Sequence, residues 1–195
     1  MTQRNSCAIL VLGDIGRSPR MQYHAISLSR QAQMDVDIVC FLETRPREEV
    51  MSDPHIRIHN LSAFPLKPPS SRLIYLFYGV IKAIFQFFAL MYMLLYTIPK
   101  PQFILVQTPP AIPSLFVAWI SSKLRRHAFV IDWHNYAYSL MALSLGQNHP
   151  LVRLSYFIEG FFGRRSDAHF SVTHTMLADL ATRWNIRGAG RALHD

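Results

Sequence analysis

The sequence predicts an α/β fold in which a parallel sheet carries helices on both faces. Short apolar runs of strand length recur along the chain, and helical segments separate them. Strands buried on both faces read as such continuous apolar runs. Half of the 195 residues are hydrophobic and only 16% are charged, which excludes a disordered or fibrous chain. The length suits one domain with a core of its own.

Strands and helices are predicted to alternate. The strands are residues 7–12, 36–41, 56–59, 103–107, 128–133 and 168–172, and the clearest helices are residues 19–30, 113–123, 150–162 and 173–184. Ser18 followed by Pro19 is typical of a helix start, because a hydroxyl can cap the helix and proline is tolerated in its first turn. Rossmann-like sheets bind ligands at the carboxyl ends of their strands, so the loops there are the candidate site.

One segment departs from this alternation. Residues 73–98 contain a single charged side chain, Lys82, and are long enough to cross a bilayer as a helix. A single crossing would separate strands that belong to one sheet, so we expect a monotopic or re-entrant placement. Leu76, Phe85 and Leu90 are then expected to contact lipid. The alternative is a helix or helical hairpin buried inside the fold.

The net charge of +8 and the pI of about 9.9 predict an anionic partner. Phosphate-bearing ligands, acidic lipid headgroups and nucleic acid all meet this requirement. A nucleic-acid surface would interleave aromatic side chains with the basic ones, and the sequence shows no such pattern. We therefore expect no nucleic acid and interpret one basic set as a rim facing lipid: Lys123, Arg125, Arg126, Arg164 and Arg165.

The two cysteines, Cys7 and Cys40, lie in predicted strands and are expected to behave as small buried hydrophobes. Because no Cys and His cluster has the spacing of a zinc site, no metal site is predicted. The polar N-terminus leads directly into the first strand without the features of a signal peptide, so we expect the chain to begin on the cytosolic side.

The loop after the first strand, residues 13–20, contains two glycines and two arginines and leads into a helix. This composition is typical of an anion site, although a plain strand-to-helix turn with surface arginines fits equally well. The spacing matches neither the dinucleotide fingerprint nor the P-loop. A nucleotide-binding oxidoreductase, with Glu43 as the ribose-binding acid, is therefore a weak hypothesis.

The loop after the fifth strand, residues 130–138, gathers Asp132, His134, Asn135 and several aromatic side chains. Aromatic rings stack on sugar faces, amides bridge hydroxyl groups, and His134 or Asp132 could take a proton from an acceptor hydroxyl. A purely structural role for the histidine stays open. Thr173, after the last predicted strand, is interpreted as a helix cap.

Several of these loops resemble those of one enzyme family, the chitobiosyldiphosphodolichol beta-mannosyltransferases. The matching stretches are LGDIGRSPRMQYH at residues 12–24, QTPP at 107–110, VIDWHNY at 130–136, NHP at 148–150 and FFGR at 161–164. The resemblance implies a GT-B glycosyltransferase with two Rossmann-like domains at the cytosolic face of the endoplasmic reticulum membrane. It also implies GDP-mannose as the donor and diphosphodolichol-linked chitobiose as the acceptor.

In GT-B enzymes the N-terminal domain mainly takes the acceptor. The resemblance implies that Gly13, Asp14, Gly16 and Arg17 line the cleft beside the diphosphate, and that Asp132, His134, Asn135 and Tyr136 face the acceptor sugar. Inversion at the mannose carbon needs a base on the attacking hydroxyl, and His134 and Asp132 are the two candidates.

Residues 1–195 are thus expected to form a GT-B N-terminal acceptor-binding domain, with residues 73–98 as its membrane segment. Residues 191–195 look like the last strand before an interdomain linker, so the donor-binding domain is expected to be absent and the chain inactive alone. The alternative is a non-catalytic membrane-docked subunit that recruits a separate donor-binding chain. No cofactor is expected in this chain, and a divalent-cation dependence stays open. Other dolichol-pathway glycosyltransferases are further candidate partners.

Overall fold

Seven parallel strands form one sheet in the computed structural model, which describes residues 4–67, 69 and 72–194, without the side chains of residues 72, 73, 75 and 76. The strand order is β3-β2-β1-β4-β5-β6-β7. The strands are β1 (Ser6–Asp14), β2 (Asp35–Phe41), β3 (Ile56–Asn60), β4 (Phe103–Thr108), β5 (Ala128–Trp133), β6 (Ala168–Ser171) and β7 (Ala189–Ala192). The predicted α/β class and its six main strands are confirmed. The final strand lies slightly earlier than residues 191–195.

Seven α-helices are described, and they connect the strands as crossovers. They are α1 (Pro19–Arg30), α2 (Glu48–Met51), α3 (Arg72–Tyr92), α4 (Ser114–Arg125), α5 (Ala137–Leu145), α6 (Pro150–Gly163) and α7 (His174–Trp184). Helix α1 begins at Pro19 as predicted, but the Ser18 hydroxyl does not cap it and instead donates to the carbonyl of Asp14 at 3.3 Å. Thr173 does cap α7, since its hydroxyl accepts from the Met176 N–H at 3.0 Å.

Each face of the sheet has its own apolar core, as a parallel sheet covered on both sides requires. Side chains of α1 and α2 cover one face, where Cys7 and Cys40 are fully buried. Burial raises the pKa of both thiols to about 12. Side chains of α3, α4, α6 and α7 cover the other face.

The C-terminal part of helix α3 packs into the core of the domain. Leu90 and Leu94 are buried in the core, and the helix continues as a π-helical turn over Met93–Thr97. Arg125 of α4 donates to the carbonyls of Leu94 and Ile98, so Arg125 caps this end of the helix and does not belong to the predicted basic rim.

The N-terminal half of α3 extends past the sheet. Residues 72–97 span about 39 Å at the helical rise, whereas the six residues of β4 span about 20 Å. Because α3 connects the carboxyl end of β3 to the start of β4, the excess length lies at the carboxyl edge of the sheet. The start of α3 is therefore on the same side as the candidate site.

This helix is long and apolar enough to span a membrane, yet only 11% of its most apolar window is buried. The alternative of a helix buried inside the fold is therefore wrong. A single crossing is also excluded for the folded domain, because β3 and β4 lie in the same sheet. Leu90 is fully buried, which corrects the prediction that it faces lipid. Phe85 is half-buried against Phe64 at 5.4 Å between ring centroids, and the side chain of Leu76 lies outside the described residues.

Candidate functional site

The strand order reverses beside β1, where β2 continues the sheet on one side and β4 on the other. Such a reversal opens a crevice outside the carboxyl ends of the central strands, and ligands of open α/β sheets bind there. The loops that follow β1, β4, β5 and β6 all lie at this carboxyl edge of the sheet. Neighbouring strands lie about 4.8 Å apart, so the ends of β1 and β5, with β4 between them, are about 10 Å apart.

Asp14 at the end of β1 fastens two loops together. Its carboxylate accepts the N–H groups of Gly16, Glu43 and Thr44 at 3.1 to 3.2 Å and the Thr44 hydroxyl at 2.5 Å. Burial alone would raise the pKa of Asp14, but the hydrogen bonds from Thr44 and from the N–H groups of Glu43 and Gly16 outweigh it and lower the pKa. Asp14 therefore shapes the edge of the crevice by holding the β1 loop against the end of β2.

The two glycines of this loop differ in what surrounds them. A Cβ at Gly16 would collide with the side chain and carbonyl of Thr44, whereas a Cβ at Gly13 would meet only Val11 at 3.9 Å. The close approach of the two loops therefore requires glycine at position 16. Arg17 is 75% exposed at its side chain and lies 3.5 Å from the Asp14 carboxylate. Contact of Gly13, Gly16 and Arg17 with a diphosphate stays a prediction.

Asp132 on β5 is held by a buried ion pair. The Arg20 guanidinium donates to its two oxygens from Nε at 2.8 Å and Nη2 at 2.9 Å, and His24 Nε2 lies 3.3 Å away. Asp132 has no exposed surface. Burial would raise its pKa, but the contacts with His24 and Arg20 lower it below the ordinary value.

In this geometry Asp132, one of the two predicted candidate bases, does not reach the crevice. A general base must lie within hydrogen-bond reach of the proton that it abstracts. The carboxylate of Asp132 is sealed from the crevice and both oxygens are occupied. Arg20 also donates from Nη1 to the carbonyl of Leu193 at 2.7 Å, so the Arg20 and Asp132 pair joins α1, β5 and the residues after β7.

A cavity of about 300 Å³ opens beside this ion pair. Its walls are Arg20, Tyr23, His24, Ser27, Leu193 and His194. The residues of this wall were not predicted as a group, because α1 and the end of the chain are far apart in the sequence. His24 also stacks on Phe170 of β6 at 5.7 Å between ring centroids.

The loop after β5 forms a second cavity, of about 380 Å³. His134, Asn135 and Tyr136 line it together with residues from the start of α7, including Thr173 and Thr175. The predicted sugar-facing residues are thus brought together, with the exception of Asp132. His134 is half-buried, Asn135 is exposed, and the N–H of His134 donates to the carbonyl of Thr108 at 3.0 Å.

Tyr136 is fixed by a neighbouring helix. Its hydroxyl donates to Asp179 of α7 at 2.7 Å, and burial together with this carboxylate raises the pKa of Tyr136. Arg183 holds Asp179 through two hydrogen bonds of 2.8 and 2.9 Å and lies 5.7 Å from the centroid of the Tyr136 ring. One face of the second cavity therefore presents an aromatic ring in a fixed orientation, which suits stacking on a sugar.

The structure adds a further residue to this site, one that was not predicted from the sequence. Glu159 of α6 is fully buried, and its carboxylate accepts the N–H groups of Ala137 and Tyr138 at 2.8 and 2.9 Å. Burial raises the pKa of Glu159 to about 7. Within an apolar helical stretch it carried no local signal of such a role. Among the described residues, no group of His, Cys, Asp and Glu converges as a metal site would require.

Comparison with known proteins identifies the fold family of this site. Residues 20–193 match the family described as glycosyl transferase 4-like domain. The chain belongs to this family. Its seven-stranded parallel sheet with helices on both faces matches the N-terminal domain of GT-B glycosyltransferases, the class predicted from the sequence.

Similar proteins include named mannosyltransferases. The chain is 42% identical to the chitobiosyldiphosphodolichol beta-mannosyltransferase of Dictyostelium discoideum over 98% of this chain and 41% of that protein. It is 42% identical to the Homo sapiens protein of the same name over 91% of this chain and 37% of that protein. It is also 40% identical to the Arabidopsis thaliana protein named UDP-glycosyltransferase TURAN, over 100% and 42% of the two chains. The chain thus spans about two fifths of the length of these curated relatives.

Solved structures show the same fold at low sequence identity. Sucrose-phosphate synthase from Thermosynechococcus elongatus superposes with a TM-score of 0.60 and 16% identity, over 98% of this chain and 48% of that chain. The Phytolacca americana enzyme UGT2 superposes with a TM-score of 0.64 and 9% identity, over 100% and 55%. The chain therefore corresponds in fold to about half of each of these two proteins.

Proposed function

We propose that this chain is the acceptor-binding part of a dolichol-pathway beta-mannosyltransferase. Its full enzyme would transfer mannose from GDP-mannose to GlcNAc2-diphosphodolichol at the cytosolic face of the endoplasmic reticulum membrane. The observation that carries this proposal is 42% identity to a protein of that named activity over 98% of this chain. The portion of the relatives that the chain does not match is proposed to bind the donor.

The cavity after β5 is the proposed acceptor site. The Tyr136 ring supplies a stacking surface, and the exposed Asn135 supplies an amide for the sugar hydroxyls. His134 is the proposed base for the attacking hydroxyl, because Asp132 is sealed inside its ion pair with Arg20. The backbone N–H of His134 donates to the carbonyl of Thr108, and this hydrogen bond fixes the backbone position from which the imidazole extends.

A lipid-linked acceptor requires the enzyme to meet a membrane, and α3 is the proposed contact. One stripe of this helix exposes large apolar side chains at helical spacing: Ile74, Phe77, Ile81, Ile84, Phe88, Tyr92 and Tyr96, each more than half exposed. A continuous exposed apolar patch is typical of a membrane or protein interface. Because the start of α3 lies at the carboxyl edge of the sheet, lipid contact there would bring the acceptor headgroup towards the site.

The apolar surface continues from α3 onto α4 and α6. A chain of aromatic rings, each 5.0 to 5.7 Å from the next, runs through Phe88, Phe87, Phe116, Phe162, Phe161 and Phe157. Phe88 is 65% exposed, Phe116 is 43% exposed and Phe157 is 59% exposed. Helices α3, α4 and α6 therefore expose apolar side chains on one continuous surface, which a single partner could cover.

The charge of this part of the chain favours an anionic bilayer as that partner. Residues 54–131, which include α3 and α4, contain eight Lys and Arg and no Asp or Glu. The remaining residues contain twelve of each sign, so the whole net charge of +8 resides in this segment. Several of these cations are exposed, among them Lys100, Lys123 and Arg126. Acidic lipid headgroups attract such cations, whereas those of a second copy of the chain would repel them.

Flotation with vesicles tests the membrane contact. The chain is expected to float with phosphatidylcholine vesicles that contain phosphatidylserine and less well with phosphatidylcholine alone. The double variant Phe77→Asp/Phe88→Asp should stay at the bottom of the gradient. Its matched control, Leu42→Asp/Met51→Asp, changes two exposed apolar side chains outside this surface and should float. Equal flotation of both variants would exclude α3 as the contact.

A transfer assay tests the proposal that this chain binds the acceptor and that another part of the enzyme binds the donor. The purified chain is incubated with chitobiosyl diphosphate on a short isoprenoid chain and with GDP-mannose, and the expected result is acceptor binding without mannose transfer. Transfer by this chain alone would overturn the proposal that another part binds the donor. Acceptor binding combined with recovery of transfer on addition of a separate donor-binding protein would favour the alternative of an acceptor-binding subunit.

A further inference from the structure

The loop that carries the candidate acceptor residues is anchored at both of its ends. Before it, the N–H of His134 donates to the carbonyl of Thr108 on the neighbouring strand β4. After it, the N–H groups of Ala137 and Tyr138 donate to the carboxylate of Glu159. Residues 134–136 therefore span a short distance between two fixed points.

The second anchor replaces an ordinary helix cap. Tyr136 occupies the N-cap position of α5, where Ser, Thr, Asp or Asn are favoured because their side chains accept an N–H of the first turn. Tyr136 makes no such bond, since its hydroxyl donates to Asp179 instead. The cap of α5 is supplied from α6 by Glu159, which leaves the N-cap position available for an aromatic side chain that lines the cavity.

Burial of the Glu159 carboxylate destabilises the folded state. Glu159 is fully buried, and none of the ion pairs found among the described residues involves it. An unpaired buried carboxylate costs far more than a cap placed at the helix surface, even when it accepts two hydrogen bonds.

We propose that Glu159 is a positioning residue of the acceptor site, which fixes the orientation of His134, Asn135 and Tyr136 by holding both N–H groups at the start of α5. Glu159 does not touch the acceptor itself. The identity of the ligand rests on the proposed function. The effect of Glu159 on the loop does not depend on that identity.

The near-isosteric variant Glu159→Gln separates positioning from stability. The glutamine oxygen can accept one N–H, while its amide group faces the other N–H as a second donor. The variant therefore loses one of the two hydrogen bonds that hold the loop closed. We expect amide hydrogen exchange in residues 134–140 to become about tenfold faster, because the loop opens more often. At pH 8 the thermal midpoint should stay the same or rise, because the cost of the buried charge is removed. Glu159→Asp retains the charge but is too short for both bonds, and it should loosen the same loop.

Binding of chitobiosyl diphosphate on a short isoprenoid chain provides the functional readout. We expect affinity to fall about tenfold in Glu159→Gln, with one hydrogen bond lost, although stability does not fall. The control Arg153→Gln removes an exposed charge from the same helix and should match the wild-type chain in both measurements. Unchanged exchange in residues 134–140 would overturn the proposal. Absence of acceptor binding by the wild-type chain would instead overturn the proposed function, and the exchange experiment would still decide the role of Glu159.

Discussion

The guanidinium of Arg20 holds the carboxylate of Asp132 through two hydrogen bonds of 2.8 and 2.9 Å, and the carboxylate has no exposed surface. Two residues that lie 112 positions apart in the sequence thus form one structural unit. The pair is the reason to propose His134 over Asp132 as the base, because the Asp132 carboxylate has no exposed surface. It also fixes the residues after β7 through the bond from Arg20 to Leu193.

Loss of one partner of this pair should be strongly destabilising. Arg20→Met leaves the Asp132 carboxylate buried without its main counter-charge, which costs about 3–5 kcal/mol. The double variant Arg20→Met/Asp132→Leu removes both charges and should regain much of that loss. Urea unfolding of the two variants and of the wild-type chain measures the difference. Equal stability of the single and double variants would contradict the account.

The raised pKa of Glu159 predicts how stability depends on pH. The unfolded glutamate titrates near 4.5 and the folded one near 7, so the folded state binds the proton more tightly. The stability from this group is present below pH 4.5 and is lost as the pH rises through about 7. The loss amounts to about 3 kcal/mol. The difference in unfolding free energy between Glu159→Gln and the wild-type chain should therefore grow from pH 5 to pH 8. A constant difference would exclude the raised pKa.

The two glycines of the β1 loop should respond differently to the same change. Gly16→Ala forces the loop away from Thr44, and such overpacking costs about 1–3 kcal/mol. Gly13→Ala is the matched control and should have a much smaller effect, because its Cβ finds only a contact of 3.9 Å. Thermal unfolding of both variants checks this. A larger loss in Gly13→Ala than in Gly16→Ala would contradict the described packing of the loops.

The thiols of Cys7 and Cys40 should be unreactive in the folded chain. Both are fully buried, and burial raises the pKa of each to about 12, so little thiolate forms at pH 8. Labelling with a disulfide reagent should be slow in buffer and rapid for both thiols in urea. Rapid labelling of either thiol under native conditions would show that the sheet core opens easily.

Much of the fold could be predicted because its strands carry a local signal. Continuous apolar runs marked β1, β2, β4 and β5, and proline after a capping-type residue marked the start of α1. Helix α5 was missed because its apolar residues lie on all sides of the helix, without the periodicity that indicates one buried face. The final strand β7 was shifted because its exposed residues have little strand character.

The candidate site was predicted in part. The position of His134, Asn135 and Tyr136 after a strand was sufficient to bring them to one cavity. The ion pair of Asp132 was not predictable, because its partner Arg20 is distant in sequence. An aspartate at the end of a strand can serve as a base or as an ion-pair partner, and the sequence alone does not distinguish the two roles. Leu90 was assigned to lipid because composition alone does not tell which stripe of an apolar helix packs on the domain.

The central claim, that the cavity after β5 binds a lipid-linked chitobiose, is tested most directly by calorimetric titration of the chain with chitobiosyl diphosphate on a short isoprenoid chain. The account predicts saturable binding that falls about tenfold in Asn135→Ala and in His134→Ala through the loss of a hydrogen bond in each. The control His55→Ala, at the opposite edge of the sheet beside Asp35, should bind as the wild-type chain does. No saturable binding by the wild-type chain, or equal affinity in all four proteins, would contradict the claim.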